Sequence, residues 1–355
     1  MPAIPPARFA WHADKVDTTL ASIRYRMLQP LAALQARGLP IELFDPARAP
    51  ESYDAIIFCK SQGESAVEIA AAARGAGRGV IYDMCDNLFA AHRVGHASAA
   101  RIERVRKLLG LATHTTFSTA TLAEQIADEV AFDAPRLVIP DALDVATPLD
   151  APAPSLRERW ELRRLHRFLA RHPDALHCVW FGKSLGRVSG YVHIDEAVTQ
   201  LREFAAASGT KVTLTVISND RLGFWRAAPR WKLPLHYMPW TQATASQAIG
   251  AHRVAVIPLE SNTYTAGKTM NRPATALLLG LGVVADAIPS YEELRPFLSL
   301  DDWQGGLARY REWSDETQAQ LEAGRRHLSE RYSADAVAKR WAEVLGLPEP
   351  QTRFG

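Results

Sequence analysis

Between Val254 and Ala285 an apolar run, a polar loop, a helix-length segment and a second apolar run follow in order, and few folds accommodate that sequence of elements. Val254-Ala255-Val256-Ile257-Pro258-Leu259 reads as a buried strand stopped by proline. Glu260 to Met270 is polar and carries Lys268 and Thr269. Asn271 reads as an N-cap, Pro273 suits the first helical turn, Gly280 is a stop, and Val283 to Ala285 is the next strand. A strand, loop, helix and strand in this order make the crossover unit of a parallel sheet. Its loop meets a helix N-terminus, where free N–H groups and the dipole favour anions. Lys268 and Arg272 add charge there, with Asn271 and Thr269 beside them, so a diphosphate is the expected guest. The plain alternative is a buried crossover whose Lys and Arg are merely solvated.

The rest of the chain repeats the alternation. Arg8 to Trp11, Ile41 to Phe44, Ala55 to Cys59, Gly79 to Tyr82, Thr115 to Phe117 and Leu137 to Pro140 read as strands. Ser22 reads as the cap of a helix carrying Met27, Leu28, Leu31 and Leu34, kinked by Pro30 and ended by Gly38. Further helices are expected over Ala66 to Arg74, Ala99 to Leu111 and Ala120 to Val130. Val145 to Ser155 is rich in Pro, Ala and Asp and reads as a linker. The pattern then restarts, after a charged helix from Leu156 to Arg171. Strands are expected at Cys178 to Phe181, Lys211 to Ile217 and His236 to Met238, and helices at His193 to Ala207 and Ala243 to Ile249. From Tyr291 the chain is helical and charged, with Ala334 to Leu345 as a last amphipathic helix. This is an α/β chain with two doubly wound parallel sheets in tandem.

Bulk properties narrow the function. A net charge of +2 speaks against a nucleic-acid binder working through a broad basic field. Cys59, Cys85 and Cys178 are far apart, without metal-ligand spacing, and read as reduced thiols of a cytosolic protein. His92 and His96 would share a helical face, but further ligands are lacking, so no metal site is expected. Met1 to Pro6 lacks the basic and apolar regions of a signal peptide. No apolar run reaches the roughly 18 residues of a membrane span, which leaves only peripheral attachment to a membrane surface open.

Several segments together resemble the GT-B glycosyltransferases of the large group-1-like bacterial kind. Ser22-Ile23-Arg24-Tyr25-Arg26 is similar to the family's Ser-x-Arg-x-Arg opening helix. Tyr82-Asp83-Met84-Cys85-Asp86-Asn87-Leu88-Phe89 resembles the acidic segment after a first-domain strand. Ser118-Thr119-x-x-Leu122 and Val138-Ile139-Pro140-Asp141-Ala142-Leu143-Asp144 are similar to the end of the acceptor domain. Trp180-Phe181-Gly182-Lys183 resembles the first strand and glycine loop of the donor domain, and Trp240 with Ala255 to Leu259 the later donor strands. The resemblance implies two Rossmann-like doubly wound domains facing across a cleft. Residues 1–150 would be the acceptor side, 151–333 the nucleotide-sugar donor domain, and 334–355 a helix returning to the first domain. It also departs from the family at one point. The Glu-x7-Glu pair of related retaining enzymes would fall on Gly267 and Thr275, so neither glutamate is present. Lys268, Asn271 and Arg272 occupy that region, and Glu260 is a carboxylate at a different spacing. Stereochemistry and the grip on the donor sugar stay open.

Transfer from a nucleotide sugar places negative charge on the leaving diphosphate, so fixed cations or N–H dipoles are needed. The candidates are Lys183 and Arg187 near Gly182, Gly186 and Gly190, together with Lys268, Thr269, Asn271 and Arg272. On the acceptor side His12, Asp17, Asp83 and Asp86 are candidate bases, with Asp83 favoured because it follows its strand first. Helix capping is the competing role for Asp83 and Asp86. Arg24 and Arg26 differ by two and should point apart, one to the cleft and one to solvent. The expected partners are a nucleotide-sugar donor, with no further cofactor or metal, and a saccharide or lipid-linked acceptor of bacterial polysaccharide or glycoconjugate synthesis. A nucleotide-sugar epimerase or hydrolase on the same fold, or a non-catalytic GT-B module, are the alternatives.

Overall fold

A computed structural model describes residues 8–144, 152–184 and 191–346. The chain forms two compact units. One gathers the chain up to Asp144, the short segment Ala266–Thr269 and the chain from Glu330; the other holds Val145–Thr265 and Met270–Ser329. Most of the linker expected at Val145 to Ser155 lies outside the described residues.

In the first unit the strands are β1 (Phe9–His12), β2 (Ile41–Leu43), β3 (Ala55–Cys59), β4 (Gly79–Met84), β5 (His114–Phe117) and β6 (Arg136–Val138). They make one parallel sheet in the order β2-β1-β3-β4-β5-β6. All five residues of β3 are buried, as a strand covered on both faces requires. The order reverses at β1, and such a reversal opens a crevice at the carboxyl ends of β1 and β3. The helix Ala334–Val344 completes the core. Val337, Ala338, Trp341 and Ala342 are all buried, and Trp341 meets Trp11 edge to face at 4.9 Å between ring centroids. That contact joins the chain's last described helix to its first strand.

The first helix differs from its expected form. Leu20, not Ser22, precedes its first turn, Ala21–Ile23. A π-helical turn then spans Arg24–Leu28 before the α-helix Gln29–Ala36, and the Gln29 N–H bonds to the Arg24 carbonyl. Pro30 has no N–H for the Arg26 carbonyl and its ring would crowd it, so the wider turn accommodates the proline. It also turns four consecutive residues, Arg24 to Met27, into the interior. Arg24 and Arg26 therefore both point inward, and the expectation that one would reach solvent is overturned.

The second unit contains β7 (Leu176–Gly182), β8 (Val212–Ser218), β9 (Leu235–Pro239), β10 (Val254–Ile257), β11 (Gly282–Ala285) and β12 (Ser299–Leu300). Its parallel order is β12-β11-β10-β7-β8-β9, reversing at β7. Two elements escape the hydrophobic pattern. The edge strand β12 has two residues, and the helix Arg221–Trp231 carries Gly223 and Pro229. Gly223 is there for space: a Cβ would lie 2.1 Å from Asp220 Oδ2, while Asp220 Oδ1 caps the Gly223 N–H at 2.8 Å. No helix among the described residues is long and apolar enough to cross a membrane.

Candidate functional site

The crevice between β1 and β3 is built by residues that end those strands. His12 closes β1 and is 8% exposed. Lys60 and Ser61 follow β3, and Lys60 takes a left-handed φ of 55°. For a residue with a side chain that conformation costs about 1–2 kcal/mol, and such strain concentrates at functional sites. The turn brings the Ser61 Oγ to 2.7 Å from His12 Nδ1 and to 3.0 Å from the His12 carbonyl oxygen. The Ser61 hydroxyl has one proton: given to that carbonyl, it leaves His12 Nδ1 protonated and the lone pair on Nε2; given to Nδ1, it leaves the proton on Nε2. Burial lowers the His12 pKa, with Asp14 opposing, so the ring is neutral at pH 7. Asp14 is held in turn, accepting the Gln62 N–H at 2.7 Å.

The aspartates expected as bases are committed elsewhere. Asp83 is 2% exposed. Its Oδ2 accepts Arg26 Nε at 2.9 Å, and its Oδ1 accepts both Arg26 Nη2 and the Thr116 hydroxyl, the latter at 2.7 Å. Arg26 also donates to Asp141 at 3.1 Å and to the Ile139 carbonyl at 2.6 Å. With three hydrogen bonds and no solvent, Asp83 does not fit a free base; it is one half of a buried ion pair. Asp17 accepts the Thr19 N–H at 3.0 Å, the Thr19 hydroxyl at 2.6 Å and Lys15 at 3.1 Å. These bonds, the Thr19 hydroxyl foremost, hold its carboxyl down to about 2, too weak a base for the task. Arg24 is likewise internal, donating to the Thr18 carbonyl at 2.7 Å with its guanidinium 5.2 Å from the Tyr25 ring.

Asp86 lies between two ammonium groups. It accepts Lys268 Nζ at 2.6 Å through Oδ1 and Lys60 Nζ through Oδ2. Burial would raise its carboxyl, but Lys268 and then Lys60 overcome it and hold Asp86 far below the usual carboxylate range. Asp86 is therefore a fixed anion, not a base. The trio keeps one net positive charge. Neither aspartate caps the next helix; Asn87 does, accepting the Ala90 N–H at 2.9 Å. Lys60 and Ser61 were not among the expected site residues, although they directly follow a fully apolar five-residue strand, the position that drew attention to His12 and Asp83.

In the second unit the carboxyl edge is differently furnished. Gly182 ends β7, and exposed Lys183 follows. The Ser184 N–H is held by Asn219 Oδ1 at 3.0 Å, which ties this loop to the end of β8. A Cβ built on Gly182 would lie 3.7 Å from Arg272 Cδ, so the Arg272 stem runs past the end of β7. Arg272 and Lys183 make no ion pair among the described residues. The helix Asn271–Leu278 begins with Asn271 as its first residue; Met270, not Asn271, takes the cap position. After β10 the chain is fixed by Asp286, whose Oδ2 accepts the Leu259 N–H at 2.8 Å and whose Oδ1 accepts Trp303 Nε1 at 2.7 Å. Glu260 is exposed, and its carbonyl accepts the buried Thr265 hydroxyl at 2.5 Å. Thr269 is half-buried and groups, with Lys268, in the first unit. Arg187, Gly186 and Gly190 lie outside the described residues.

The helix Leu88–Arg93 ends before His96, and His92 Nδ1 lies 2.6 Å from the Ala97 carbonyl, so the two do not share a helical face. Among the described residues no three His, Cys, Asp or Glu side chains gather as metal ligands would.

No protein-family profile matches the chain. No curated protein matches it by sequence. Solved structures do match. The sucrose-phosphate synthase of Thermosynechococcus elongatus superposes with a TM-score of 0.60 at 11% identity, covering 95% of this chain and 98% of that one. The E. coli trehalose-6-phosphate synthase structure bound with UDP-2-fluoro glucose gives 0.59 at 13% identity, covering 92% and 78%. S. aureus TarM, in complex with fondaparinux, alpha-GlcNAc-glycerol and UDP, gives 0.55 at 9% identity; the match covers 84% of this chain but only 56% of TarM. Two six-stranded parallel sheets, each reversing at its first strand, and these likenesses establish that the chain has the GT-B fold.

Proposed function

We propose that the chain is a glycosyltransferase that moves a sugar from a nucleotide-sugar donor to a saccharide or lipid-linked acceptor. The residues of the first unit act on the acceptor, and those of the second hold the donor. One observation carries the reading: a buried, neutral histidine, His12, stands at the strand-order reversal against the Ser61 hydroxyl, and in its Nδ1-protonated form Nε2 is the base. Its Nε2 takes the proton of the acceptor hydroxyl as that oxygen attacks the anomeric carbon. The bond from that carbon to the diphosphate breaks, and the leaving oxygen keeps the electron pair. Lys183 and Arg272 at the second sheet's edge neutralise the leaving charge, with Arg187 and the helix start at Asn271 as further contributors and no metal required. Binding of UDP and a UDP sugar by structural neighbours supports a nucleotide-sugar donor. We place the protein in the cytoplasm, with peripheral membrane contact where the acceptor is lipid-linked, and assign it to bacterial polysaccharide or glycoconjugate synthesis.

A panel of UDP, GDP and CMP sugars, each incubated with and without saccharide acceptors, tests this. Release of nucleotide that depends on acceptor is the expected result. Release without acceptor would identify a hydrolase, isomerised donor an epimerase, and failure to bind any donor a non-catalytic module.

A further inference from the structure

The second unit holds a cavity of about 390 Å³ beside the edge strand β9, between the helices Leu156–Ala170 and Arg221–Trp231. That is within the range of small-molecule sites. It is not the edge that carries Lys183 and Arg272. Gly182 pairs with Ser218, and Ser218 with Pro239, whereas the cavity residue His236 pairs with Thr215, two strands away from β7 and below the carboxyl edge.

Its lining joins an aromatic surface to a charged one. Trp225 is 57% exposed and packs against Phe224, with ring centroids 5.3 Å apart. Arg164 lies 4.7 Å over the Trp160 ring and, among the described residues, donates one hydrogen bond, 3.3 Å to Glu161 Oε2. Arg221 makes no ion pair among the described residues. Glu161 is buried, with a carboxylate whose other oxygen accepts no bond among the described residues. His236 is also buried, stacked on Phe168 at 5.2 Å, and its Nε2 has no hydrogen-bond partner among the described residues. Two arginines against one glutamate leave the lining with one net positive charge. A buried imidazole nitrogen with no hydrogen-bond partner is costly unless a polar ligand satisfies it. A bilayer surface would not, since His236 does not reach a flat face.

We propose that this cavity is a binding subsite for a saccharide unit that carries a carboxylate, a uronic acid. The Trp225 face receives the C–H face of the sugar ring, because the aromatic face is negative. Arg164 and Arg221 pair with the carboxylate, for which the planar guanidinium fork is shaped. Glu161 accepts from the sugar hydroxyls. The subsite goes beyond the proposed transfer reaction and is readable without turnover.

Saturation-transfer NMR on the full chain, with D-glucuronate, D-glucose and inorganic phosphate as probes, tests it. Glucuronate should receive saturation at its ring protons, more strongly than glucose, and should keep it in the presence of saturating UDP. Trp225→Ala and Arg221→Gln should each weaken glucuronate about tenfold, the loss of one such contact. Their melting temperatures should match the parent. The proposal is overturned if glucuronate receives no saturation, if both variants bind it as the parent does, or if UDP displaces it. Displacement by an equal concentration of phosphate would also overturn it, because the site would then be a bare anion site.

Discussion

Along the first sheet the charged side chains are answered from within their own unit, Arg26 by Asp83 and Asp141 and Asp86 by Lys60 and Lys268, and neutral His12 is met by Ser61. At the carboxyl edge of the second sheet Lys183 and Arg272 have no ionic partner among the described residues. The difference separates two uses of charge. A buried, fully bonded pair sets geometry, and its worth shows when one member is removed. A cation left without a partner keeps its full field for a ligand. By this measure the first unit spends its charge on internal scaffolding, and under the proposed function the second keeps its cations for an anionic donor.

The largest effect is expected where the pairing is deepest. Arg26→Ala takes the guanidinium away from buried Asp83 and should cost about 3–5 kcal/mol of stability. Asp83→Asn should also lower the melting temperature, and not activity alone. A melting temperature for Arg26→Ala within about one degree of the parent would break the comparison.

Acid should separate the units next. Burial lowers His236 and His252 to about 4, and lowers His177 as well; all three lie in the second unit. Below the ordinary value of 6.5 His236 and His252 stay neutral when folded, down to about 4, and take up protons when unfolded. The unfolded state then binds more protons, so stability falls as pH falls from 6.5 toward 4, by up to about 1.4 kcal/mol per pH unit for each group. In the first unit His12 contributes with the same sign, but Asp86, held far below the usual range, keeps its charge throughout this window. Hydrogen exchange at pH 4.5 should show β7, β8 and β9 losing protection before β1, β3 and β4. The reverse order would contradict the assignment.

Smaller effects concern the donor. Lys183→Ala and Arg272→Ala should each weaken UDP binding by about 1–3 kcal/mol with unchanged melting temperature. Lys268→Ala should do less, below about 1 kcal/mol, because its ammonium is already shared with Asp86 and Lys60 remains there. Titration calorimetry orders the three. A Lys268 effect exceeding that of Arg272 would move the diphosphate to the first unit's cluster.

Much of the fold is legible in the chain because local signals agree with it. Ala55–Cys59, Ala99–Leu111 and Val254–Ile257 take the bounds their patterns predict, since apolar runs and caps coincide there. The helix Arg221–Trp231 is hidden by Gly223 and Pro229; Gly223 makes room for its own capping Asp220 and for the distant Tyr191 ring. The site is less legible. The places of His12 at the end of β1 and Lys183 just after β7 agree with the strand bounds read from the chain. The pairing of Arg26 with Asp83 and Asp141 joins residues 57 and 115 positions apart, and nothing local signals it. Asp83 looked like a base because strand ends place residues near the crevice. Only the π turn at Arg24–Leu28, which sends Arg26 inward, shows that its charge is already taken.

The division of labour between the units is tested most directly by hydrogen exchange measured with and without saturating UDP, and again with GDP. The account predicts that one of these nucleotides protects amides at Gly182 to Ser184 and at the helix start from Asn271, while the β1 and β3 ends at His12 and Ser61 are unchanged. Protection at His12 and Ser61 without protection at Gly182 to Ser184, or no protection by either nucleotide, would contradict it.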